Sequence, residues 1–298
     1  MIAIWRKTIW FAMPAVFFFT ACEKDNTLVT STDPVGNYVI IPPVAPPTAA
    51  TDSSMLLGNP SNASSNVADI SNYLLKEGYY TVSYNRDAGR PNWCSWHVGV
   101  TDYGSVPRQD NFRANPNLPD GWYKVDNLSY SSSGFDRGHL CPSADRTSSI
   151  EANSSTFLMT NIVPQAPVNN QTRWAALEDY CRQLVQAGNE LYIIAGAYGD
   201  GGTGTAGFLT TIDNGRVAVP ANMWKVIVVL PNGANDLTRV KTDTRVISVI
   251  MPNENSVNPE WKTYRTSVDA IENETGYNIM SKVSTAIQSV IEARVDNL

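Results

Sequence analysis

Histidine is scarce in this chain: only His97 and His139 occur in 298 residues. A site built on several imidazole ligands is thereby excluded. Cysteine is nearly as rare, at four residues, too few for a domain held together by disulfides. Charged side chains make up 17% of the total, which excludes a long coiled coil. The balance is acidic, with 22 Lys and Arg against 28 Asp and Glu, a net charge of −6. Bulk positive charge therefore cannot be the mode of any nucleic-acid binding. No internal repeat is visible, so a solenoid is excluded. What the chain does have is 8 Trp, 13 Tyr and 8 Phe, enough to fill a core rather than leave the chain disordered. Its length allows one or two domains.

The apolar run Ile9 to Phe19 is interrupted mildly by Pro14 and is too short to span a bilayer comfortably. With Arg6 and Lys7 before it, the run reads as an export signal over residues 1–22. It ends Phe19-Thr20-Ala21-Cys22. Small residues before a cysteine resemble a bacterial lipoprotein signal, with Cys22 as the lipidated residue. The expectation is an exported protein anchored in the outer membrane by its lipid, facing the periplasm or the cell surface. A plain secretory signal or an uncleaved anchor are the alternatives. Residues 23–66, rich in Pro, Ser, Thr, Asn and Ala, read as a flexible tether. A single domain is expected over 67–298.

Within that domain, 79–84 and 93–100 pattern as strands around a turn region at 85–92. Residues 191–195, 225–230 and 245–251 are buried strands by their β-branched and aliphatic runs. Residues 172–187 pattern as a helix stopped by Gly188, and 259–271 and 279–295 also look helical. Strands and helices mix without a βαβ rhythm, so the fold class is α+β.

Two stretches carry the chemistry. Gly134-Phe135-Asp136-Arg137-Gly138-His139-Leu140-Cys141-Pro142 packs an acid, a cation and a histidine into a few residues. Taken alone, it also fits a polar loop. The second stretch runs from Thr160-Asn161 through Asn169-Asn170-Gln171-Thr172-Arg173-Trp174 to Leu177-Glu178-Asp179-Tyr180-Cys181-Arg182. Asn170, Trp174, Glu178 and Arg182 recur every four residues and drift by only about 40° per step on a helix. Trp174, Leu177, Cys181, Leu184 and Val185 form the apolar stripe, with Glu178 and Arg182 on its border. Asn170 lies just before this helix. As alternatives, Glu178 and Arg182 could be an ordinary i,i+4 ion pair, and Asn170 a cap.

Together these stretches resemble the DNA/RNA non-specific endonuclease family, the His-Me finger (ββα-metal) nucleases that include endonuclease G. The similarity covers roughly residues 75–280. It takes in Asn92-Trp93, Arg108 to Arg113, Asp136 to His139, Ser143 to Arg146, Phe157 to Asn161, Asn170 to Arg182, and Ser267 to Glu272 followed by Thr275-Gly276-Tyr277. It implies a ββα-metal fold, a central antiparallel sheet flanked by helices. It also implies an endonuclease that hydrolyses DNA and RNA without sequence preference and leaves 5′-phosphates. His139 would be the general base and Asn170 the direct ligand of Mg²⁺, with Mn²⁺ as a candidate substitute. Glu178 would hold metal-bound waters. Arg108 and Arg182 would lie near the scissile phosphate, and Asp136 and Arg137 would support the site.

These residue types suit the reaction. A neutral histidine of ordinary pKa, about 6.5, can take a proton from water. Mg²⁺ sheds water reluctantly, so one amide oxygen can suffice as its protein ligand. Arginine offers forked donors to phosphate oxygens. Gly138 is read as a tight-turn glycine and His97, in a strand, as structural. Residues 79–182 carry nine basic and ten acidic side chains, nearly neutral, so a local arginine-lined groove remains possible. No base-reading motif is visible, which fits recognition of the phosphate backbone. Cys94, Cys141 and Cys181 remain after Cys22; a disulfide among them is permitted, and sequence does not choose a pair. A nucleic-acid-binding lipoprotein without turnover and a structural or adhesion lipoprotein are the competing readings.

Overall fold

The computed structural model describes residues 53–256 and 258–298. The export signal, Cys22 and most of the expected tether lie outside the described residues. In chain order, β1 is Tyr73–Lys76, β2 Thr81–Asn85, β3 Arg90–Val98 and β4 Asp136–His139. Next come α1 (Ile150–Ser155), β5 (Ile162–Gln165) and α2 (Ala175–Gln186). They are followed by β6 (Asn189–Tyr198), β7 (Gly202–Gly204), β8 (Gly207–Leu209), β9 (Thr211–Ile212) and β10 (Val217–Ala218). The chain ends with β11 (Asn222–Pro231), α3 (Asp236–Arg239), β12 (Arg245–Pro252), β13 (Arg265–Thr266), α4 (Val268–Thr275) and α5 (Thr285–Ile291).

Seven strands pair antiparallel in the order β1-β2-β3-β6-β11-β12-β13. The central strands are apolar on both faces because both faces are covered. On one face, Cys94, Trp96, Ile193, Ala195, Met223, Ile227, Ile247 and Val249 pack under Trp174, Leu177, Cys181 and Val185 from the α2 segment. On the other, Trp93, Ile194, Trp224, Val226 and Val246 pack under Val268 and Ile271 of α4 and Ile291 of α5. The α+β expectation, with a central antiparallel sheet flanked by helices, is met.

The packed unit also begins earlier than composition indicates. Leu57 and Ala63 are buried against the second face. The Ser and Asn side chains that read as tether are used as bonds: Asn59 Nδ2 donates to the Ala63 carbonyl, Ser61 Oγ to Asn72 Oδ1, and Trp93 Nε1 to Ser61 Oγ. The boundary expected at Val67 thus falls inside packed structure.

Two C-terminal helices are shorter than expected. Over 259–271 only Trp261–Tyr264 makes a 3₁₀ turn; β13 then pairs with β12, and Ser267 caps α4 by accepting from the Ala270 amide. Over 279–295 only Thr285–Ile291 is helical, because Ile279, Met280 and Val283 are committed to the core.

Beside the large sheet, β4 and β5 form a two-stranded antiparallel ribbon pairing Asp136 with Gln165 and His139 with Ile162. A helical segment follows directly. It opens as a π-helix over Asn169–Trp174 and continues as α2. This β-β-helix unit carries the active-site residues singled out in the sequence except Arg108, which lies in the loop before β4.

Candidate active site

Alternation along β4 sends Asp136 and Gly138 to one side and Arg137 and His139 to the other. Gly138 is not a turn residue, since it sits in mid-strand. A Cβ there would come within 2.2 Å of Gln165 Oε1 and 2.6 Å of Gln165 Cβ on β5. Glycine is required for this close approach of the two strands.

His139 is buried between two phenylalanines. Its ring lies 5.3 Å from Phe112 and 5.0 Å from Phe157, the latter edge-to-face at 87°. Each phenylalanine also carries an arginine: Arg137 Cζ lies 4.1 Å from the Phe112 centroid and Arg108 Cζ 4.7 Å from that of Phe157. The rings exclude water, and two fixed cations flank the imidazole. Burial first, then Arg108 and Arg137, push the His139 pKa down to about 3. The imidazole is therefore neutral over the whole physiological range, for a reason the ordinary value of about 6.5 does not contain. Its Nε2 is buried with no hydrogen-bond partner.

On the other side of β4, Asp136 Oδ2 accepts from Asn170 Nδ2 and from Gln171 Nε2, both at 2.8 Å. Asn170 is not ahead of the helix but inside the π-turn, its amide donating to the Ala166 carbonyl at 2.9 Å. The widened turn lets two consecutive side chains, 170 and 171, reach one carboxylate; π-turns recur at functional sites for such local re-aiming. Because the Asn170 nitrogen is committed to Asp136, its amide oxygen is left as a free acceptor. That donor set fits a hard cation that keeps most of its water.

Glu178 and Arg182 do not form the simple i,i+4 pair. Glu178 Oε1 accepts from Lys225 Nζ at 3.4 Å. Lys225 comes from the middle of β11 and is 1% exposed. It lies over the Trp174 ring at 4.2 Å and near Trp96 at 5.7 Å. Arg182 donates to Asp179 and sits 3.6 Å from the buried Asp145. Trp96 Nε1 also donates to Asp145, at 3.0 Å. Burial pushes the Glu178 and Asp145 carboxyls up, and neighbouring cations oppose it: chiefly Lys225 for Glu178, and Arg146 then Arg182 for Asp145.

The two groups meet at the 3₁₀ turn Ser143–Asp145. Arg108 Nη1 donates to Ser143 Oγ at 2.9 Å, and Asp145 at the far end faces Arg182. Asn161 holds the chain after His139 in place: its Oδ1 accepts from the Cys141 amide, and its Nδ2 donates to the Cys141 and Thr156 carbonyls. Phe112, Ser143, Asp145 and Phe157 fall inside segments that carry the family resemblance, but sequence reasoning assigned them no role in this assembly. Lys225 was missed altogether as a part of it; its signal was a cation inside a largely apolar strand.

His97 is structural, its Nε2 2.9 Å from Glu190 Oε2. Cys94, Cys141 and Cys181 are all free and buried, so the permitted disulfide does not form.

Residues 57–286 match the family model for DNA/RNA non-specific endonucleases. A nuclease of Nostoc sp. is 44% identical over 270 residues, covering 91% of this chain and 95% of its own. The mitochondrial nuclease EXOG of Danio rerio is 33% identical over 168 residues, 54% of this chain and 48% of its own. Among solved structures, the complex of EndoG with EndoGI, described as showing the mechanism of EndoG inhibition, superposes with a TM-score of 0.62 at 22% identity. That match covers 78% of this chain and 91% of that one.

Proposed function

The chain belongs to the DNA/RNA non-specific endonuclease family, and from that premise we propose a metal-assisted hydrolysis of phosphodiesters in both DNA and RNA with His139 as general base. The observation that carries the reading is the pairing of a bare, neutral imidazole with an Asn170 amide whose oxygen is left free by Asp136.

Water held at His139 gives its proton to the imidazole as its oxygen attacks phosphorus. The bond from phosphorus to the 3′-oxygen breaks, solvent protonates that oxygen, and the phosphate stays on the 5′ side. Arg108 and Arg137, fixed on the two phenylalanine faces, offer donors to the non-bridging oxygens as charge develops there. The bound phosphate cancels part of the field that depresses His139, so the base strengthens when substrate is in place. Phe112 and Phe157 hold the ring and keep bulk water off it. Mg²⁺ on Asn170, with Mn²⁺ as substitute, would act as a Lewis acid on phosphate oxygens and stabilise the leaving alkoxide. Glu178, set by Lys225, would order waters around that ion, and Arg182, set by Asp145 and Asp179, would face the phosphate. Contacts of this kind read backbone charge and carry no sequence information.

Export and lipidation at Cys22 belong to the same proposal and rest on the N-terminal sequence pattern alone. The test is digestion of supercoiled plasmid and total RNA in Mg²⁺ and in EDTA, beside His139→Ala. Loss of both substrates only in Mg²⁺ and only with the wild-type chain is expected; turnover by folded His139→Ala would refute the base.

A further inference from the structure

Four carboxylate side chains lie buried among the described residues: Asp145, Glu190, Asp296 and Glu292. Three of them face arginine: Asp145 faces Arg182, Glu190 faces Arg239, and Asp296 faces Arg245 and Arg265. Glu292 has no such partner. It is 6% exposed, at the C-terminal cap of α5, and its Oε1 is buried with no hydrogen-bond partner. The charges that bear on it are two more acids, Glu272 and Asp269 of α4. The nearest basic residue in sequence, Arg294, is turned away to the Thr242 and Thr244 carbonyls. The carboxyl end of α5 adds further negative potential at the same place.

One oxygen from each of Asp269, Glu272 and Glu292 can be chosen so that all three lie within 4.8 Å of one another. Two Ca²⁺–oxygen bonds of 2.3–2.6 Å span at most about 5 Å, so a single ion can touch all three. The other acidic grouping of this kind, His97, Glu190 and Asp236, is already neutralised: Arg239 donates to both carboxylates, and Tyr192 donates to Asp236. Among the described residues no cation stands in that role between α4 and α5.

We propose that Asp269, Glu272 and Glu292 form a second, structural site for a hard divalent cation of the Ca²⁺ class, clamping α4 to α5. Glu292 supplies the inward ligand, aimed from the core. Exposed Asp269 and half-buried Glu272 close the site from the α4 side, and water completes the shell. The two helices cover the face of the sheet opposite α2, so the ion would act on stability and not on the hydrolytic step. The proposal does not depend on the reaction assigned to His139.

The experiment uses the full chain, stripped with EDTA, at pH 8. Thermal unfolding is followed while CaCl₂ is added to wild type, Glu292→Gln and Asn170→Ala; the last removes the ligand proposed for the hydrolytic ion. Glu292→Gln keeps the shape and removes an unpaired buried charge, so it should fold. At a hundredfold excess over Kd the melting temperature is expected to rise by roughly 5–10 °C in wild type and Asn170→Ala, and by almost nothing in Glu292→Gln. Equilibrium dialysis should find one Ca²⁺ bound to Asn170→Ala and none once Glu292→Gln is added. A full Ca²⁺ shift in Glu292→Gln would overturn the site, as would no shift in Asn170→Ala. A cluster held by protons alone would also overturn it, seen as melting indifferent to Ca²⁺ that falls from pH 5 to 8 in wild type and not in Glu292→Gln.

Discussion

The His139 group and the Glu178 group sit at opposite ends of one short turn, Ser143–Asp145, and treat charge in opposite ways. Around Glu178 and Arg182 every charge has a counter-charge in contact: Lys225 with Glu178, and Arg182 with Asp145 and Asp179. Around His139 the pairing is incomplete: Arg108 meets the exposed Asp110 at 3.3 Å, and Arg137 has no ion-pair partner among the described residues. Two arginines flank a neutral ring whose Nε2 has no partner. Saturated charge holds a shape; unsatisfied charge waits for a ligand. The first group should carry stability as well as its proposed part at the ion and the phosphate, and the second should act chiefly on rate.

The largest expected effect tests the second half of that contrast. His139→Ala should cut the rate by about 10²–10⁴-fold, while the folded state survives, as judged by circular dichroism. A variant that unfolds, or one that keeps its rate, would break the comparison from this side. Next, Lys225→Met removes the only cation in contact with Glu178 among the described residues and leaves that carboxylate unpaired. The cost should be about 3–5 kcal/mol, measured by urea unfolding. A loss below 1 kcal/mol would mean that the pair is no scaffold.

Asp136→Asn probes the seam between the two behaviours, since Asp136 Oδ2 accepts from the Asn170 side chain. It keeps size and removes the charge that fixes the Asn170 amide. Activity or metal affinity should fall about 10–100-fold, seen as a rise in the Mg²⁺ needed for half-maximal rate with little change in melting temperature. An unchanged Mg²⁺ requirement would detach Asp136 from the metal ligand.

The subtlest test is of pH. The folded pKa of His139 is lowered to about 3 against about 6.5 unfolded. The imidazole is thus neutral at every pH above about 3. The acid limb of kcat/KM, which reports the free enzyme, should lie well below pH 6.5. Stability follows the same sign: the contribution is complete above pH 6.5 and is lost as pH falls toward 3. His139→Gln should flatten the stability profile in that window. An acid limb at pH 6.5 would show the imidazole to be less enclosed than Phe112 and Phe157 make it.

Much of this was legible in the sequence because it is local. The α2 segment follows from a four-residue repeat, and the buried strands of the large sheet from unbroken aliphatic runs, whereas the short strands β4 and β5 carry no pattern that marks them. The two C-terminal helices were overextended because Thr266 is claimed by β12 and Ile279 by the core, both decided by distant partners. The environment of His139 was invisible for the same reason. Phe112 lies 27 residues before it and Phe157 18 after, and only the folded chain brings both rings onto the imidazole. Gly138 looked like a turn because a glycine between Arg and His gives no hint of Gln165 across the ribbon.

The three thiols offer a last consequence. Cys94 lies on β3, Cys141 just beyond β4, and Cys181 on α2, and all are sealed from solvent without being bridged. Each layer around His139 therefore carries its own built-in label site, silent until that layer opens. Alkylation followed residue by residue would read out the order in which strand, ribbon and helix come apart, with no engineered probe.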